Sequence, residues 1–156
     1  LGNPTCIHPA RKREVGERLA FLALANDYGV TGLPAPAPVY KSMERDGNKL
    51  VLTFDNLPVR AQNGVDSFVA FGPDGYRRPG GFEIAGEDRV FHPAVANFKY
   101  WDNRIEVSSD RVPDPVAVRY AFRNYCPEAN VVTTMGQPLA PFRTDDWPLD
   151  DIGEIR

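Results

Sequence analysis

Proline and glycine interrupt almost every apolar run of this sequence, and that limits the folds open to it. The chain of 156 residues contains 15 prolines and 13 glycines. Proline removes a hydrogen bond from a helix interior or a central strand, and glycine weakens both elements. We therefore expect no long helix beyond the first, and a series of short strands joined by turns.

The one segment with a clear helical period runs from Pro9 to Tyr28. Val15, Leu19 and Leu22 recur at i, i+4 and i+7 and form the apolar stripe of an amphipathic helix. Gly29 follows directly, and glycine at this place is typical of a helix that ends in the left-handed conformation.

Alternating prolines from Gly32 to Pro38 predict a stiff, extended linker, because they forbid helix and discourage strand pairing. The spacing of apolar residues changes after this stretch. We therefore place a boundary here, with residues 1–33 ending one domain and residues 34–156 forming a second.

After the linker, apolar and polar residues alternate with the period of half-buried strands. Val39–Glu44 and Lys49–Phe54 flank Asp46-Gly47, which is a strong hairpin signal. Further predicted strands are Ser67–Phe71, Gly81–Ala85, Val90–Ala96, Arg104–Ser108 and Val116–Phe122. Short strands at this spacing predict a mainly β fold, a β-sandwich preceded by one amphipathic α-helix.

Charge and composition exclude several kinds of partner and site. The formal net charge is −3 with both signs interspersed, which indicates no nucleic-acid surface, and no apolar run reaches the length of a membrane span. His8 and His92 lie far apart, and Cys6 and Cys126 lack metal-binding spacing, so we predict no metal site and no cofactor. The cysteines are interpreted as two free thiols, with a disulfide between them as the alternative.

His8 precedes a proline at the first turn of the predicted helix and is the candidate catalytic base. Proline fixes its own φ and suits this position, and imidazole takes up a proton near neutral pH. The alternative is a histidine that merely lies at a helix start. The usual carboxylate helper would come two or three residues earlier, where the chain has Thr5 and Cys6.

The sequence offers no recognisable serine nucleophile for this base. The G-x-S-x-G motif is absent, and no serine among Ser42, Ser67, Ser108 and Ser109 follows the strand-to-helix pattern that exposes a nucleophile. A hydrolase based on Cys6 is a further hypothesis, although two groups so close before a helix seldom reach one reacting atom.

The C-terminal stretch from Gln137 to Arg156 is acidic and predicted to be a loop, since its prolines exclude regular structure. Within it, Arg143, Asp145 and Trp147 form a candidate sugar-binding group, with the indole stacking on a ring and the guanidinium binding a carboxylate. The alternative is an arginine–aspartate clasp in which Trp147 anchors the segment onto the sandwich.

Several segments, in order and over nearly the whole chain, resemble the C-terminal part of the sialate O-acetylesterase family, which are serine esterases of the SGNH-hydrolase type. The segments that carry the resemblance are Ile7-His8-Pro9, Glu14 to Ala20, Tyr28-Gly29, Pro38 to Met43, Gly81 to Asp88, Val107-Ser108-Ser109, Pro115 to Ala121 and Pro138 to Pro148.

The resemblance implies that His8 is the family's catalytic base and that the helix closes an incomplete α/β, SGNH-hydrolase-like domain. The β-sandwich would be the family's C-terminal accessory domain. The serine nucleophile would lie upstream or on another chain, the substrate would be an O-acetylated sugar, and the location would be extracytoplasmic. Cys6 departs from the acidic residue that many relatives have before Ile-His-Pro, so the acid comes from elsewhere or the site works as a Ser–His dyad.

We therefore interpret the chain as the C-terminal portion of a carbohydrate, sialate-type O-acetylesterase. It would be inactive alone, because it lacks the nucleophile. The competing hypothesis is a non-catalytic β-sandwich module that binds carbohydrate or another protein.

Overall fold

The predicted fold class is confirmed: a β-sandwich-like domain follows a single helix. The computed structural model describes residues 8, 11–57, 68–72, 75–76, 78–99 and 103–148. Its elements are α1 (Lys12–Asn26), β1 (Val39–Asp46), β2 (Lys49–Asp55), β3 (Phe68–Gly72), β4 (Gly75–Tyr76), β5 (Phe82–Ala85), β6 (His92–Pro93), β7 (Val95–Lys99), β8 (Arg104–Ser108), β9 (Ala117–Tyr120), β10 (Val131–Thr133) and β11 (Phe142–Arg143).

Helix α1 is shorter than predicted at both ends, and Gly29 has the predicted left-handed conformation just beyond it. It begins at Lys12, and Pro9, the expected first residue, lies outside the described residues. At its C-terminus the Asp27 N–H donates to the Ala23 oxygen, and Gly29 has a φ of +66°. No helix among the described residues has the length and apolarity needed to span a membrane.

The apolar side chains of α1 are not covered by the sandwich. None of its residues is buried, and Leu19 is 62% exposed, with Leu22 and Leu24 also exposed. Most helical stability in proteins comes from packing of an apolar face, because isolated helices of this length are marginal in water. The amphipathic sequence of α1 predicts that its apolar face packs against another surface. The sandwich does not provide that surface.

The strands form three antiparallel sheets with the orders β1-β2-β8-β7, β10-β3-β4 and β11-β9-β5-β6. The predicted first hairpin is present, with Asp46 opposite Lys49. Gly47 has a φ of +60° in its two-residue loop, a conformation that glycine adopts without steric cost.

Several parts of the strand prediction were wrong. No strand was predicted for β4 or β10. The predicted strand Val90–Ala96 is divided into β6 and β7, which join different sheets. The stretch from Gln137 onward was predicted as loop throughout, but Phe142–Arg143 forms β11 and pairs with β9. Pro141 does not prevent this, because it precedes the strand and need not donate a ladder hydrogen bond.

The core lies between the sheets and is centred on aromatic rings. Leu52, Ile84, Ile105 and Val118 are fully buried within it. The ring of Phe142 lies 5.0 Å from that of Tyr40, 5.9 Å from that of Tyr120 and 6.0 Å from that of Phe54. The short strand β11 thus brings one ring into contact with three others.

The linker is bound to the sandwich instead of spanning open solvent. Ala35 and Pro38 are buried, and the Pro38 oxygen accepts a hydrogen bond from the Ala140 N–H. The Gln137 side chain donates to the Pro34 oxygen, and the Asn56 side chain donates to the Ala37 oxygen. From Pro34 onward, the linker is therefore part of the packed domain.

Tyr120 connects the core to β10 through its hydroxyl group. The Val131 N–H donates to the Tyr120 hydroxyl oxygen at 3.2 Å, and both residues are buried. Burial raises the pKa of Tyr120 to about 12, so the hydroxyl stays protonated over the ordinary pH range.

We predict that Tyr120→Phe lowers the free energy of unfolding by about 1–3 kcal/mol, because the buried Val131 N–H loses its acceptor. Urea denaturation followed by tryptophan fluorescence measures this change. Tyr125→Phe is the matched control, since Tyr125 is largely exposed, and should alter stability by less than about 0.5 kcal/mol. Equal losses in the two variants would contradict the prediction.

Candidate functional site

His8, the candidate base, is exposed and precedes α1. Its neighbours in the motif, Ile7 and Pro9, and the candidate helpers Thr5 and Cys6, lie outside the described residues. The catalytic role of His8 stays a prediction.

The described serines take part in the sandwich. The hydroxyls of Ser42 and Thr53 are 2.7 Å apart across β1 and β2, and Ser109 Oγ donates to the Pro93 oxygen at 3.1 Å. Ser67 lies outside the described residues. The only helix in the described part of the chain precedes Ser42, Ser108 and Ser109, so none of these three occupies a strand-to-helix turn.

No group of three or more histidine, cysteine or acidic residues among those described is arranged to hold a metal ion. Cys126 carries a free thiol, and Cys6 lies outside the described residues. Arg123 donates to Cys126 Sγ at 3.4 Å and lies 3.7 Å from Glu83 Oε1. His92 lies in β6, at the edge of its sheet.

Asp145 forms a buried, bidentate ion pair with Arg119 of β9. Asp145 Oδ2 accepts from Arg119 Nε at 2.9 Å, and Oδ1 accepts from Nη2 at 2.6 Å. The two side chains are 4% and 0% exposed, for Arg119 and Asp145 respectively. Burial opposes the charge of Asp145, but the hydrogen bonds and charge of Arg119 outweigh it and hold the pKa of this carboxyl below its ordinary value.

Aromatic rings extend this ion pair into a stack. The Arg119 guanidinium lies 3.9 Å from the centre of the Phe91 ring and 5.6 Å from that of Phe122. The Trp147 ring lies 5.6 Å from Phe91, and the guanidinium of Arg89 lies 5.5 Å from Trp147. Cation–π contacts of this kind are strongest where water is excluded, so they reinforce the pair.

The structure brings Arg143, Asp145 and Trp147, the predicted sugar-binding group, close together. Their contacts hold the C-terminal segment against β9. Arg143 Nη1 donates to the Trp147 oxygen at 3.0 Å and lies 3.9 Å from Asp145 Oδ1. Thr144 exchanges two hydrogen bonds with the Val118 backbone, at 2.9 and 3.0 Å. These are the contacts of a clasp, and the substrate-binding role of Arg143, Asp145 and Trp147 stays a prediction.

The β1-β2-β8-β7 sheet carries a network of charged side chains. Glu106, only 8% exposed, pairs with Lys99 at 2.8 Å and with Lys49 at 3.5 Å, and Arg104 pairs with Glu44 at 2.7 Å. The hydrogen bond from Lys99, together with the charges of both lysines, lowers the pKa of Glu106 despite its burial. These ion pairs connect the four strands of the sheet through their side chains.

Comparison with known proteins gives an informative likeness to a solved structure. No family model and no curated protein matches the chain. A solved crystal structure is 43% identical to it with a TM-score of 0.79, and the match covers 94% of this chain and 31% of that one. That protein is a carbohydrate acetylesterase from Xanthomonas citri. The likeness supports the predicted relation to carbohydrate esterases and leaves the narrower sialate assignment as a prediction.

Arg119 was missed by the reasoning from sequence, although it carries a usable signal. It interrupts the apolar run Ala117-Val118-Arg119-Tyr120, and a charged residue at such a place needs a partner of opposite charge. Nothing in the local sequence identifies that partner, because Asp145 follows it by 26 positions.

We predict that Asp145→Asn lowers the free energy of unfolding by about 3–5 kcal/mol at neutral pH, because it leaves the Arg119 charge buried without its partner. Asp146→Asn, at the exposed neighbouring position, should change stability by less than about 0.5 kcal/mol. Urea denaturation of both variants measures the difference.

The loss of stability caused by Asp145→Asn should also depend on pH. The folded-state pKa of Asp145 is lowered from 3.8, so its ionised form stabilises the fold above that value and this contribution is lost as the pH falls through the folded pKa. The stability gap between the wild type and Asp145→Asn should therefore be constant near neutrality and shrink in acid. A gap that widens in acid would contradict this assignment.

Proposed function

We propose that this chain is the C-terminal portion of a carbohydrate O-acetylesterase and supplies His8 as the catalytic base. The observation that carries the proposal is the 43% identity, over 94% of this chain, to a carbohydrate acetylesterase. The chain spans 31% of that protein, so the activity of the whole enzyme would depend on a region outside this match.

In the proposed mechanism, His8 accepts the proton of a serine hydroxyl as the serine oxygen attacks the acetyl carbonyl carbon. The bond from that carbon to the sugar oxygen then breaks, and the protonated imidazole returns its proton to the departing oxygen. His8 next activates a water molecule in the same way, so the acetyl-serine ester is hydrolysed and acetate leaves. Imidazole suits both steps, because its ordinary pKa lies near neutrality.

The helix would connect this chemistry to the sandwich. We propose that α1 packs its apolar stripe against the domain that bears the nucleophile. The exposure of Leu19, Leu22 and Leu24 supports this, since the sandwich leaves all three uncovered. The sandwich would then be an accessory domain that anchors the helix.

The finer features of this proposal rest on the family resemblance alone. They are an O-acetylated sialic acid as substrate and an extracytoplasmic location. Cys6 stands where many relatives have an acidic residue, so the sequence does not identify an acid partner for His8. A Ser–His dyad and an acid from another region are both compatible with this.

We predict that the chain together with its upstream region hydrolyses an aryl acetate, and that the chain alone does not. In the longer protein His8→Ala should lower kcat by about 10²–10⁴-fold, the usual contribution of a general base. Release of the aryl alcohol, followed by absorbance, gives the rate.

His92→Ala is the matched control, because His92 lies in an edge strand of the sandwich; it should retain the rate of the wild type. Turnover by the isolated chain that survives His8→Ala would refute the proposal. The binding-module hypothesis predicts instead saturable binding of acetylated sialosides that Trp147→Ala abolishes and His8→Ala leaves intact.

A further inference from the structure

A small cavity lies between the bound linker and the sandwich. Its volume is about 170 Å³, and it is lined by Leu33, Pro34, Pro36, Asn56, Leu57, Thr133, Met135 and Gln137. A cavity of about 150 Å³ accommodates a benzene ring. The space therefore suits one six-membered ring whose substituents project through its open side, and a longer oligosaccharide or a helix would not fit inside it.

The lining combines an aliphatic wall with neutral polar groups. Five of the lining side chains are aliphatic or thioether groups, three are polar, and none of them is charged. Ligand sites commonly have this composition, with apolar contact area and a few polar groups that fix orientation. A ligand that fits here is uncharged and has at least one apolar face.

The polar groups also limit the hydrogen bonds that a ligand can make. Gln137 is 5% exposed, and its Nε2 donates to the Pro34 oxygen. A backbone carbonyl only accepts, so this contact fixes the orientation of the amide. Asn56 Nδ2 donates to the Ala37 oxygen. Among the described residues, no donor reaches Gln137 Oε1 or Asn56 Oδ1. Two of the lining residues therefore carry an acceptor oxygen that a ligand could use.

We propose that this cavity is a subsite for one pyranose ring of a neutral sugar. The ring's C–H face would lie on the wall of Leu33 and Met135, and its hydroxyls would donate to the carbonyl oxygens of Gln137 and Asn56. An acidic sugar is disfavoured, because its carboxylate would face these oxygens with no cation among the lining side chains. This inference deepens the proposed function and rests on it for the class of ligand; the neutral ring bound here would be a different sugar of the substrate from the O-acetylated sialic acid.

The two methionines of the chain provide the test. Met135 lines the cavity, whereas Met43 packs against the core, so their labelled methyl groups report on the site and on the fold in one NMR spectrum. Titration with methyl β-D-glucopyranoside should shift the Met135 signal saturably and leave Met43 unchanged. N-acetylneuraminic acid should produce no saturable shift.

Leu33→Trp should fill the cavity and weaken binding of the glucoside at least tenfold, with the Met43 signal reporting that the variant is folded. Val30→Trp adds the same ring at an exposed position outside the lining and should bind as the wild type does. No Met135 shift with the glucoside, an equal response to N-acetylneuraminic acid, or unchanged binding by Leu33→Trp would each overturn the subsite. The titration requires no turnover, so a negative result alongside aryl acetate hydrolysis by the longer protein would refute the subsite and leave the proposed function standing.

Discussion

The buried ion pair of Arg119 and Asp145 holds the C-terminal segment over β9, and the packing of that sheet depends on it. Val118 and Tyr120 face the core, whereas Arg119 alternates to the other face of the strand. All four residues of β9 are nevertheless buried, because the segment after β11 lies across that second face. The charged pair, together with the aromatic rings of Phe91 and Phe122, therefore covers this side of the sheet.

Such a pair contributes more to specificity than to net stability, because the cost of desolvating two charges offsets most of their attraction. Here both carboxylate oxygens accept from Arg119, and the Phe91 ring packs on the guanidinium. A segment that shifted by one residue would lose these bonds together. The pair thus favours one register of the C-terminal segment on the sheet.

The parts of the fold that could be predicted from the sequence are those with local causes. Helix α1 was predicted from the spacing of Val15, Leu19 and Leu22 and from Gly29 after it. The first hairpin was predicted from Gly47. Strands of two or three residues carry too little alternation to be recognised, and β10 and β11 were missed for that reason. Their pairing depends on residues far along the chain.

The same distinction applies to the candidate sites. His8 was singled out because its motif is local, and Arg143, Asp145 and Trp147 because they lie close together in sequence. Arg119 and Gln137 were not singled out from the sequence, because their partners lie far along the chain. Arg119 pairs with Asp145, 26 positions away, and Gln137 bonds to Pro34, 103 positions away. Distant pairing of this kind depends on the tertiary fold, which spacing within one segment does not encode.

The bound linker leaves a short connection between the helix and the sandwich. The Val30 N–H still bonds to the Leu24 oxygen of the helix, and Pro34 already bonds to Gln137. Residues 31–33 span this gap, and the four Cα-to-Cα steps from Val30 to Pro34, at about 3.5 Å each, reach at most about 14 Å. A tether of this length keeps the two units at a high effective concentration, so whatever docks on the helix also comes to lie beside the sandwich.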